Sequence, residues 1–389
     1  VEALMLVPLA GNDLPPAVAA LVGSATPAKV MAARGMAPLR PAELLAAIYQ
    51  LSFDADPTVK AAAEAAPASV PDKVLLGPLA EPQPPAVLHF FAERLPLVRR
   101  KPLEAILYNH ATSDETFVTL ARRLDERGLE VIFQNEVRLL RCPDLVAALY
   151  FNRNARMSST SRMLELCARN HLRLEGIPGY DELATALMAD ANAATPSVSD
   201  EEFAAVAAPA EAAAHAEGAP PPDELGPEDV EDDLGGEETE GAKEERSAVI
   251  KFDKLKIFEK IRLASVGNLY CRQVLIRDTN KVVAMSVIRS PSITDMEIIA
   301  AAGNRAVCDD VIRFIANSRV HMKDYAVKQA LVSNPKCPLG TSLRLLTFMH
   351  NEDLRTLSRS KNIPGALSTA AKKLMQTRER GGGGGGGGG

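Results

Sequence analysis

An all-α protein is the fold class this sequence predicts, in the form of two arrays of stacked short helices joined by an acidic, disordered linker. Three observations carry that expectation. Of the 389 residues, 47% are hydrophobic but only 4% are aromatic, and Trp is absent. The core must therefore come from Ala, Leu, Val, Ile and Met, side chains that pack well between closely spaced helices. A turn-like pentapeptide recurs between amphipathic runs. Charge is also segregated along the chain, although the net value is only −6.

The pentapeptide is clearest at Asn334-Pro335-Lys336-Cys337-Pro338, and Ser290-Pro291-Ser292-Ile293-Thr294 stands 44 residues before it. A third copy follows at 360–364. In the first half, Asn109-His110-Ala111-Thr112-Ser113 and Asn154-Ala155-Arg156-Met157-Ser158 lie a nearly equal interval apart, with weaker echoes ending at Pro41 and Pro71. Periods in this range are those of stacked helical hairpins. The opening Asn, Ser or Pro is expected to end a helix, because Asn tolerates the left-handed conformation and Pro restricts the residue before it. The closing Pro, Ser or Thr starts the next helix: Ser and Thr cap free amides, and Pro fits the first turn, where its missing N–H costs nothing.

Each copy is followed by an amphipathic run. In order these are AELLAAIYQL after Pro41, DETFVTLARRL after Ser113, STSRMLELCARN after Ser158, DMEIIAAAGN after Thr294, LGTSLRLLTFM after Pro338 and GALSTAAKKLM after Pro364. Thr294 and Glu297 have capping-box spacing, and Ser113 and Thr116 repeat it with a hydroxyl. Phe117, Leu120 and Leu124 fall on one helical face. The pentapeptide thus reads as punctuation between helices, not as a binding loop.

Between the arrays, residues 195–248 carry 17 Asp+Glu against 2 Lys+Arg and almost no large apolar side chains. Such a segment cannot bury enough surface to offset its ordering entropy, so it reads as a disordered linker. The expected organisation is an N-terminal helical domain at 1–194, the linker at 195–248, a basic helical domain at 249–380 with 23 Lys+Arg against 11 Asp+Glu, and a poly-Gly tail at 381–389.

The turn quoted as NPKCP, with SPSIT and KNIP as variants, resembles the leucine-rich repeat variant and HEAT-like α-solenoid repeats of bacterial proteins. The resemblance covers 264–375 well and 30–173 loosely. It implies a curved stack of helix pairs that binds macromolecules along one surface, and it implies no catalytic residues.

Signatures of chemistry are sparse. The five cysteines, Cys142, Cys167, Cys271, Cys308 and Cys337, form no CxxC pair and have no His at ligand spacing, so they read as buried thiols in a reducing, cytoplasmic compartment. The six histidines form no HExxH motif, and no metal or cofactor is expected. His110 with Asp114 and Glu115 could make an acid/base cluster, but acidic residues after a turn are the ordinary furniture of a helix N-terminus. Ser265 or Cys271 would need a base that the sequence does not supply. Gly267 and Gly303 read as helix ends. The N-terminus makes a poor signal peptide, and no apolar run has the length of a membrane span.

The basic excess of the second array is the sharpest functional hint. The candidate partner or polyanion surface comprises Arg305, Arg313, Arg344, Arg355, Arg359, Lys361 and Lys372, with Arg319, Lys323 and Lys373 nearby. Tyr270, Tyr325 and Phe348 are the few aromatics among them, which argues against stacking of unpaired bases. The expected function is a non-catalytic scaffold or adaptor that binds protein partners through its repeat surfaces. The alternative is a nucleic-acid-binding protein using the basic array, with the acidic linker as an intramolecular competitor for it.

Overall fold

The computed structural model describes residues 6–10, 14–189, 199–207, 252, 255–360 and 362–382. Among these are 23 α-helices and no strand. The chain is all-α, and its short helices pack in sequential pairs, consistent with a helical repeat. It divides into two compact units, Val1–Tyr180 with Leu187–Asp200, and Asp181–Ala186 with Glu201–Gly389.

The first unit begins with α1 (Pro16–Val22), α2 (Thr26–Ala33), α3 (Pro41–Leu51), α4 (Pro57–Ser69), α5 (Asp72–Ala80) and α6 (Pro85–Arg94). It continues through α7 (Arg100–Tyr108), α8 (Asp114–Ala121), α9 (Glu126–Phe133), α10 (Glu136–Arg141), α11 (Pro143–Phe151) and α12 (Met157–Arg169). Helices α13 (Tyr180–Ala189) and α14 (Asp200–Ala207) follow at the division, with Asp181–Ala186 of α13 and α14 from Glu201 onward belonging to the second unit. Pro stands in the first two positions of α1, α2, α3, α4, α6 and α11, where its missing N–H leaves no bond unmade. Helices this short do not persist alone, so each depends on its neighbours. Those neighbours are the second-next helices: α1, α3, α5, α7 and α9 stack in one layer and α2, α4, α6 and α8 in the other. Between the layers lie Leu45, Ile48 and Tyr49 of α3 and Phe90 and Phe91 of α6, all fully buried, with Tyr49 and Phe90 edge to face at 5.6 Å.

The second unit contains α15 (Ile257–Val266), α16 (Leu269–Leu275), α17 (Lys281–Ile288), α18 (Asp295–Gly303) and α19 (Asp309–Asn317). After these come α20 (Tyr325–Ser333), α21 (Leu339–Leu345), α22 (Asn351–Arg359) and α23 (Gly365–Gly382). The same stacking recurs here: α15 packs on α17, α17 on α19, α18 on α20 and α21 on α23. Gly267 ends α15 and Gly303 is the last residue of α18. A Cβ at Gly267 would stand 2.4 Å from the Leu263 carbonyl oxygen and 2.9 Å from the Cys271 Cβ, so only glycine fits that junction.

The recurring turn has a specific structural role. At Asn334 the side-chain Nδ2 donates to the carbonyls of Ala302 (2.8 Å) and Asn304 (3.2 Å), at the end of the helix one repeat earlier. Its Oδ1 accepts the Lys336 N–H at 2.9 Å, forming an Asx turn. Asn109 does the same with Leu79, Glu81 and Ala111, and Asn152 with Ala121, Leu124 and Asn154. All three are buried. Helix C-termini leave carbonyls without intrahelical partners, and one amide satisfies two of them while closing its own turn. Asparagine alone carries both the donor pair and the acceptor at this length; Asp cannot donate and Ser has one proton.

Three sequence expectations are corrected here. Asn109, Asn152, Asn304 and Asn334 cap their helices in extended backbone, with φ between −75° and −90°, not in the left-handed region, because the Asx turn holds all four there and cross-repeat bonds add to it at Asn109, Asn152 and Asn334. The residue equivalent to Asn109 is Asn152 and not Asn154, which instead reaches the Leu124 carbonyl with its own amide. The 44-residue interval from Ser290 to Asn334 runs from the turn after α17 to the turn after α20, three helices on, and so joins opposite layers. The repeating unit is two helices, 30 residues from Asn304 to Asn334.

Within the segment expected to be a linker, Asp200–Ala207 is helical, and its Phe203 is buried with the Arg262 guanidinium 4.7 Å from the ring centre. The rest of that segment, apart from Ser199, and the glycines after Gly382 lie outside the described residues. Among the described residues no helix is long and apolar enough to cross a membrane.

Candidate functional site

Several of the side chains weighed for chemistry in the sequence are buried or held in structural bonds. Asp114, weighed in the sequence as a partner of His110 and read there as an ordinary helix N-terminal acid, is held by Arg138 and Arg141, each at 2.7 Å. Arg138 also lies over the Phe117 ring at 3.8 Å and donates to the Thr112 carbonyl. Ser265 donates to the Ile261 carbonyl inside α15. Cys271 is buried, and burial pushes its thiol up to about 11, the reverse of what an attacking thiolate requires. Cys167 is pushed up to about 12 by the same cause. Among the described residues no group of three or more His, Cys, Asp or Glu side chains could hold a metal ion.

Part of the basic excess is also structural. Lys260 pairs with Asp278 at 2.8 Å and Arg272 with Glu297 at 2.7 Å, both pairs nearly buried. Lys336 donates to the Val307 carbonyl, and Arg378 to the carbonyls of Thr347 and Met349. Arg378 thus reaches the end of an element one repeat away, as Arg123 does in the first unit with the carbonyls of Ala92, Glu93 and Leu95, while Lys336 holds the turn before α19.

A different set of cations faces outward along α17, α19 and α21. In α19 the side chains of Val311, Ile312, Ile315 and Ala316 are buried, which leaves Arg313 and Asn317 exposed and Phe314 half-buried. In α17 and the residue after it, Lys281 and Arg289 are exposed. Together these line a groove of about 340 Å³ with Val282, Met285, Asp310 and Glu182. The next groove along, about 530 Å³, is lined by Arg319, Lys328, Arg344, Asn317, Ser318, Ala316, Met322, Leu345 and Phe348, and contains no carboxylate. Asn317 belongs to both grooves.

The two grooves are built alike. Each holds three cations and one phenylalanine, and in each a cation lies over the ring: Arg289 over Phe314 at 5.6 Å and Lys328 over Phe348 at 5.5 Å. Arg289 and Arg319 stand just past the ends of α17 and α19, while Arg313 and Arg344 sit within α19 and α21. Lys281, Arg313, Arg319 and Arg344 have no carboxylate in ion-pair range among the described residues, in contrast to the paired cations of the core.

Of the candidate surface read from the sequence, Arg313 and Arg344 are thus brought to adjoining grooves, together with Arg319. Arg305 lies exposed in the turn after α18, Arg355 and Arg359 are exposed on α22, and Lys372 is exposed on α23; none of these lines either groove. Lys361 lies outside the described residues. Sequence reasoning missed Lys281, Arg289 and Lys328. The recurrence of an arginine just after a helix end, Arg289 and then Arg319, was a signal available at the true repeat length. Of the aromatics, Phe348 belongs to the second groove and is 59% exposed, while Tyr325 stacks on His350 and bonds Asp353.

The fold and these grooves define a class: an all-helical, repeat-like protein with an open cationic face on its second unit. Beyond that class, comparison with protein-family models, with curated proteins and with solved structures finds no match.

Proposed function

We propose that this chain is a non-catalytic adaptor that holds macromolecular partners on the side-chain faces of its stacked helices, and that the α17–α19–α21 face takes an anionic one. The observation that carries this reading is the unpaired cations recurring from one groove to the next. Like charges gathered on one face, most of all in the second groove where no carboxylate stands among them, destabilise the folded chain slightly, and a bound polyanion turns that cost into affinity. The test is a titration of the full chain with heparin at low and at physiological salt, with and without the double reversal Arg319→Glu and Arg344→Glu. Binding that falls with salt and drops at least about tenfold in the double variant supports the reading. Absence of binding at low salt, or indifference to the reversal, overturns it.

A protein partner on the first unit is the second reading, favoured by exposed apolar side chains. Val98 is 87% and Leu97 40% exposed, beside a narrow groove between α7 and α9 lined by Leu103, Leu107 and Leu124. A photo-crosslinking side chain placed at position 98 tests it in cells. A discrete adduct lost on Leu97→Asp supports this reading, and no adduct counts against it.

A further inference from the structure

We propose that the anionic partner is single-stranded nucleic acid, lying across the two grooves with its backbone on the arginines and a base on Phe348. The inference rests on the polyanion reading above and names its occupant.

Periodicity is the first argument. The cations recur with the helical repeat, Arg289 then Arg319 and Arg313 then Arg344, and the two grooves share Asn317. A regularly spaced row of guanidiniums matches a polymer with regularly spaced charges better than it matches a compact anion, and phosphate, like carboxylate, is an anion that guanidinium grips bidentately.

The second argument is the aromatic ring. Phe348 is 59% exposed in a groove that also holds Met322, Leu345 and three cations. An unpaired base has a flat π-face to lay on such a ring, with Lys328 already over it and able to turn to phosphate. A duplex keeps its bases inside its own stack, and the acidic side chains of a peptide bring carboxylates but no flat ring. The single strand therefore uses every feature of the second groove. Charge also ranks the two grooves. Asp310 and Glu182 line the first and weaken its field, whereas the second contains no carboxylate. Arg344 should consequently matter more than Arg313.

The test uses the full chain and fluorescence anisotropy, with a labelled oligothymidylate of about 20 nucleotides, and a duplex of equal length and polyglutamate as competitors. If Lys281, Arg289, Arg313, Arg319, Lys328 and Arg344 each neutralise one phosphate, log K falls against log salt with a slope of about −4. Arg344→Gln makes that slope shallower by about 0.7, with a larger loss of affinity than Arg313→Gln. Phe348→Ala weakens single-strand binding by about fivefold or more and leaves the slope unchanged. Arg355→Gln on α22 is the control and changes neither. These are exposed side chains, and unchanged helical circular dichroism establishes that each variant is folded. Polyglutamate competing as well as the oligonucleotide, with Phe348→Ala silent, overturns the nucleic-acid assignment and leaves the polyanion reading standing. A duplex that binds more tightly than the single strand overturns the single-strand assignment. No binding of any of the three at low salt overturns both.

Discussion

His89 illustrates how a reactive-looking side chain is absorbed by the fold. It is buried on α6, with Nδ1 3.0 Å from the Thr116 hydroxyl and Nε2 3.4 Å from Glu93. Burial, its dominant influence, holds its pKa below the usual 6.5 against the opposing pull of the Glu93 and Glu115 carboxylates. Above that value the imidazole is neutral in the folded and unfolded chain alike and contributes no pH dependence. As pH falls through about 6.5 the unfolded chain takes up its proton first, so stability drops until the folded-state pKa is passed and then levels off. Urea midpoints at about pH 7.5 and 5.5 should show this drop for the wild type and a smaller one for His89→Gln. The thiols make a second residue-scale prediction. Cys142, Cys167, Cys271 and Cys337 are buried with their thiols pushed up, while Cys308 is half-buried at the start of α19. A thiol reagent should label Cys308 alone in the native protein and all five cysteines after unfolding.

At the scale of elements, the asparagine of the turn is what joins one repeat to the next. Asn334→Ala should leave the Ala302 and Asn304 carbonyls and the Lys336 amide short of partners, at a cost of about 1–3 kcal/mol in urea unfolding. Asn154→Ala should cost less, because Asn154 makes one such bond and is more exposed. Sequence reading assigns Asn154 the same place in the turn as Asn334. Helix starts were legible: Ser113 accepts from the Thr116 amide, Thr294 and Glu297 form the capping box, and Pro41 opens α3, as local chemistry dictates. The register of the turns was less legible, because FNRNARM contains two asparagines two residues apart and only burial distinguishes them. The repeat length was misread for a related reason. Turns on both layers share one motif, and the motif does not record which layer it closes.

For the molecule as a whole, stability in each unit passes from helix pair to helix pair. α23 packs on α21 and α22, whose Leu345, Leu354 and Leu357 are buried, while Arg378 ties it to the carbonyls of Thr347 and Met349. Deleting 361–389 should therefore lower the thermal midpoint of the second unit by more than about 5 °C, and Arg378→Ala should lower it by less. What the sequence determined by itself is the material of the fold. Apolar side chains at helical spacing, short runs punctuated by caps, and a core almost without aromatics leave stacked helices as the way to bury that surface. Which cations are free was decided only by the tertiary structure. Arg272, Arg313, Arg344 and Arg378 look alike in the sequence, and packing one repeat against the next turns Arg272 to Glu297 and Arg378 to helix-end carbonyls, leaving Arg313 and Arg344 at the grooves. Charge is a property of a residue, but its availability to a partner depends on what the neighbouring repeat has already claimed.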